Sequence, residues 1–104
     1  MENRIAGSDA NPYVALAVTL ACGYLGIKNQ IEPTAETTGA INGLDFELPR
    51  SLGEALHALD ECPELHDVLG EDFVNLYISV KDAEYEEFMK VISPWERENL
   101  LLTV

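Results

Sequence analysis

Apolar residues recur at intervals of three and four along most of the chain, and that spacing predicts helices. In the first run Tyr13, Leu16, Leu20, Tyr24 and Ile27 define one apolar face. A second line, Ala15, Thr19, Gly23 and Gly26, consists of small residues that would let another backbone approach closely. A helix apolar nearly all round is normally sandwiched inside a larger core, which is unexpected in a chain of 104 residues. Its start is marked by Asn11, which can cap free amides, and by Pro12, whose missing donor has no partner at the first helical position. The helix should run to about Lys28 or Gln30. Residues 1–10, with Gly7, show no helical period and read as irregular or extended.

Residues 31–50 turn loop-like, with Pro33, Thr37, Thr38, Gly39, Asn42, Gly43 and Pro49. A connection of this length is either a surface loop or a functional one. Helical spacing returns over 51–104. Ser51 with Glu54 spells a capping box, and Leu52, Ala55, Leu56 and Leu59 should face inward. Cys62 and Pro63 break that helix. A short one around Glu64–Leu69 should end at Gly70 in a left-handed cap. The long helix opens near Glu71 or Asp72, acids suited to the helix amino terminus. Phe73, Leu76, Tyr77, Val80, Phe88 and Val91 form its main apolar stripe, interrupted by Glu84; Val74, Ile78, Tyr85, Met89 and Ile92 should broaden the buried side. Ser93, Pro94 and Glu96 repeat the cap, and a last helix should reach Leu102. The expectation is an all-α fold, a small bundle of about four to five helices without internal repeats.

Composition adds that the chain is globular, at 47% apolar and 24% charged. Nineteen acidic residues face six basic ones, a net charge of −13, which leaves no source of affinity for nucleic acid or an anionic membrane. The apolar stretch Tyr13–Ile27 is shorter than the roughly 20 residues of a membrane span, and no secretory leader pattern precedes it. Cys22, in an apolar helical run, reads as a buried free thiol. With Cys62 as its only companion, a disulfide scaffold is excluded and a cytoplasmic location fits best.

Four ordered segments then carry a resemblance. The run Glu2-Asn3-Arg4-Ile5-Ala6-Gly7 leads into Ala10-Asn11-Pro12-Tyr13. It is followed by Leu48-Pro49-Arg50-Ser51-Leu52-Gly53-Glu54-Ala55-Leu56. Gly70-Glu71-Asp72-Phe73 comes next, with Tyr77, Val80-Lys81 and Glu84, and Trp95-Glu96-Arg97-Glu98 closes the series. In this order they resemble the carboxy-terminal segment of the glutamine synthetase catalytic domain, across essentially the whole chain. The Glu-Asn-Arg-Ile-Ala-Gly wording is closest to glutamine-synthetase-like gamma-glutamyl-polyamine ligases. The resemblance implies that residues 1–104 are the helical part of an α+β catalytic domain. Within it, 1–10 would be a former active-site strand, 11–30 an apolar helix, 31–50 a loop and 51–104 helical.

The family's reaction is ATP-dependent: a glutamate side chain is phosphorylated, then ammonia or an amine displaces the phosphate. Such chemistry uses Mg²⁺ or Mn²⁺ on hard oxygen ligands and cations at the transferring phosphoryl group. By resemblance Glu2 is a metal-binding glutamate and Arg4 an arginine contacting glutamate or phosphoryl. Two residues apart on a strand, they would point to one site. A lone carboxylate does not assemble a metal site, however, and the family's other metal and nucleotide ligands are not among these residues. The expectation is therefore a segment of an ATP-dependent ligase of nitrogen metabolism that is inactive alone and holds no cofactor. The competing reading is an acidic helical interaction module. Exposed apolar surface predicts a homo-oligomer through the helix 12–28, with full-length ligase subunits as an alternative partner.

Other candidates are weaker. Cys62 and His66 are four apart but are two ligands without companions. His57 has no acid–nucleophile pattern nearby, and Asp82, Glu84, Glu86 and Glu87 read as a solvated face. No tyrosine lies between Glu32 and Arg50, so the tyrosine nucleotidylation of some bacterial family members is not supported.

Overall fold

The computed structural model describes residues 3, 5–36, 38 and 48–101. Among them lie five helices: α1 Pro12–Lys28, α2 Leu52–Asp60, α3 Pro63–Leu69, α4 Glu71–Met89 and α5 Pro94–Asn99. No strand occurs among the described residues, so the all-α helical architecture expected from periodicity is what forms.

Local chemistry sets each boundary. Asn11 Oδ1 accepts the amides of Tyr13 at 3.0 Å and Val14 at 3.4 Å, and Pro12 occupies the first turn of α1. At the other end the Ile31 amide donates to the Gly26 carbonyl (3.0 Å) and the Gln30 amide to the Ile27 carbonyl (3.2 Å). These paired bonds are a Schellman closure, with Gln30 in the left-handed position at φ 51° where glycine is usual.

The Ser51 hydroxyl accepts the Glu54 amide at 3.2 Å, as the capping box requires. The Glu54 carboxylate, however, takes the Arg50 amide at 2.8 Å, so the reciprocal bond reaches one residue further upstream. Gly70 serves two helices at once: its amide donates to His66 (2.9 Å) and its carbonyl accepts from Val74 (3.1 Å). Its φ of 92° is positive as expected, yet its ψ of 125° is extended rather than left-handed helical. A residue that ends α3 must here also begin α4, and that double duty explains the departure.

Helices α2, α3 and α4 pack on one another, whereas α1 rests on α3 alone and α5 packs on no other helix. Ala21, Leu56 and Val74 are buried, Val74 completely. Here the expected faces are corrected. Tyr13 (83% exposed), Leu16, Leu20 (72%), Tyr24 and Ile27 all face away from the packed side of α1. The inward edge is Val14, Val18, Ala21 and Leu25.

The same inversion holds in α4. Phe73, Leu76, Val80 and Phe88 are exposed while Val74, Ile78 and Tyr85 turn inward. Met89 and Ile92, expected inside, are exposed, as is Leu52 at the start of α2. Cys22 is exposed rather than buried. Both helices are apolar on two sides but pack on other helices with only one; in α1 the packed side carries the smaller residues, which permits the closer approach, whereas in α4 it includes Tyr77 and Tyr85.

The open surface is large. The accessible area is 9308 Å², against about 5,800 Å² for a compact monomer of this mass. The Cα radius of gyration of 17.6 Å likewise exceeds the ~13 Å of a compact domain.

Candidate functional site

Glu2 and Arg4 lie outside the described residues. Asn3, between them in sequence, is described and tied at both ends of its amide. Its Nδ2 donates to Thr19 Oγ1 at 3.4 Å, and its Oδ1 accepts the Ile5 amide at 3.0 Å. Thr19 in turn donates to the Ala15 carbonyl at 2.7 Å, so its hydroxyl links the amino-terminal segment to the backbone of α1. Of the small-residue line, Thr19 thus meets the amino-terminal segment through its side chain, while a Cβ added at Gly23 or Gly26 would meet nothing within 4 Å. That particular bond carried no sequence signal, since asparagine and threonine sixteen residues apart have no periodic relation. Downstream, Ala10 closes a turn onto Gly7 (3.2 Å).

The Lys81 ammonium on α4 is held above its ordinary value chiefly by its hydrogen bond to Glu84 at 2.6 Å, which outweighs the opposing effect of desolvation.

The remaining candidates stay separate. His66 Nε2 lies 3.3 Å from the Leu59 carbonyl and joins α3 to the end of α2, while Cys62 Sγ contacts Glu64 at 3.8 Å. His57 is 3.4 Å from Glu61, an exposed pair one turn apart. Among the described residues no three His, Cys, Asp or Glu side chains gather to hold a metal ion. Open hollows occur among the described residues. One of about 440 Å³ is lined by Leu48, Pro49, Arg50 and Glu54. Another, about 630 Å³, lies at the end of α1 between Gly23, Gly26, Ile27, Gln30, Ile31 and Glu32. No described helix is long and apolar enough to cross a membrane.

Comparison with known proteins decides the family. The profile described as glutamine synthetase, catalytic domain, matches residues 1–100. This chain belongs to the glutamine synthetase family. It is 34% identical to type-1 glutamine synthetase 2 of Dictyostelium discoideum over 96% of this chain and 20% of that one. Glutamine synthetase of Clostridium saccharobutylicum is 33% identical over 97% of this chain and 25% of its own length. Human lengsin is 36% identical over 83% of this chain and 18% of its own. The chain therefore spans a quarter or less of these relatives and corresponds to the carboxy-terminal segment of the glutamine synthetase catalytic domain. The all-helical structure accords with that place in an α+β domain.

Proposed function

We propose that this chain is the carboxy-terminal helical segment of an ATP-dependent glutamate–ammonia or glutamate–amine ligase acting in cytoplasmic nitrogen metabolism. The observation that carries the reading is the glutamine synthetase match over residues 1–100, which takes in the Glu2-Asn3-Arg4 run. Glu2 would be one metal-binding carboxylate and Arg4 a contact to the glutamate or phosphoryl group. The Asn3–Thr19 bond supports a role for α1 in holding this run. The wording of the run favours an amine, such as a polyamine, over ammonia as acceptor.

The family's cofactors are a divalent metal, Mg²⁺ or Mn²⁺, and ATP. The described residues by themselves do not fit such a metal site, because they offer no group of three ligands. Catalysis is then expected to require groups beyond those supplied here, and the 104 residues alone should be inactive. A gamma-glutamyl-hydroxamate assay with Mn²⁺ and ATP tests this, with background rates expected. Turnover that Glu2→Ala abolishes would overturn the reading.

The open faces of α1 and α4 support a second part of the proposal, that the chain self-associates through helix 12–28 or joins full-length ligase subunits there. They are equally the observation that favours the alternative, an acidic helical interaction module. A specific complex in a pull-down that excludes ligase subunits would favour the module.

A further inference from the structure

We draw no further inference here: the strongest candidate, the Asn3–Thr19 side-chain cluster that ties the amino-terminal segment to α1, belongs to the site already described, and Glu2 and Arg4, the residues it would position, lie outside the described residues.

Discussion

The Ser93 hydroxyl accepts the Glu96 amide at 3.2 Å while the Glu96 carboxylate accepts the Ser93 amide at 2.7 Å, a closed reciprocal cap on α5. Donation by the Ser93 backbone amide first, and by the Ser93 side chain second, holds the Glu96 carboxyl below the usual carboxylate range. Among the described helices, α5 packs on no other, so its cap weighs more than it would in a packed helix.

Ser93→Ala should therefore cost α5 about 1 kcal/mol of local helix stability with little change in the global transition. Amide exchange over residues 94–99 would report it. Glu96 has a folded pKa lowered from its unfolded value. Its contribution is thus fully present above the unfolded value and fades as the pH falls through the lower folded one. A pH titration by NMR should find the Glu96 midpoint lower in wild type than in Ser93→Ala. Equal midpoints would mean that the Ser93 hydroxyl adds nothing to the shift and that the backbone amide alone causes it.

Gln30 closes α1 at a φ of 51°, where a side chain is strained. Gln30→Gly should stabilise the chain by ~0.5–1 kcal/mol, seen as a higher urea midpoint, and Gln30→Val should lower it. If both variants lower the midpoint, the side chain of Gln30 matters more than its backbone.

Gly70, at φ 92°, joins α3 to α4 through bonds on both its amide and its carbonyl. Gly70→Ala should cost about 2 kcal/mol because an L side chain rarely adopts that backbone. Space is not the obstacle, since nothing lies within 4 Å of the added Cβ. An unchanged midpoint would mean the junction can relax to another turn.

Val74 is wholly buried, whereas Leu20 is 72% exposed. Val74→Ala should cost about 2 kcal/mol, while Leu20→Ala should stay within about 0.5 kcal/mol at concentrations where the chain is monomeric. The expected order reverses what hydrophobic size alone suggests. Comparable losses at both positions would show that the α1 stripe is packed within one chain.

Much of the fold was legible because its signals are local. Asn11-Pro12, Ser51, Ser93-Pro94-Glu96 and Gly70 mark boundaries through bonds made within a few residues, and the structure makes a bond or turn at each of them. The four ordered motifs pointed to the family for the same reason, since they are strings of neighbours. The candidate pair Glu2 and Arg4 was legible only as a resemblance, and both lie outside the described residues.

What the sequence alone determined, then, is the succession of helices, their caps, the uncharged character of α1 up to Lys28 and the family. Tertiary structure alone decided which of two apolar faces is used. Periodicity shows that a helix has an apolar side, but α1 and α4 have two each. Only the positions of α2 and α3 select the edge of Val14, Val18 and Ala21 over that of Tyr13, Leu16 and Leu20, and Val74 over Phe73. The physical reason is that packing depends on which neighbour can approach closely, and that is a property of two surfaces brought together rather than of one helix.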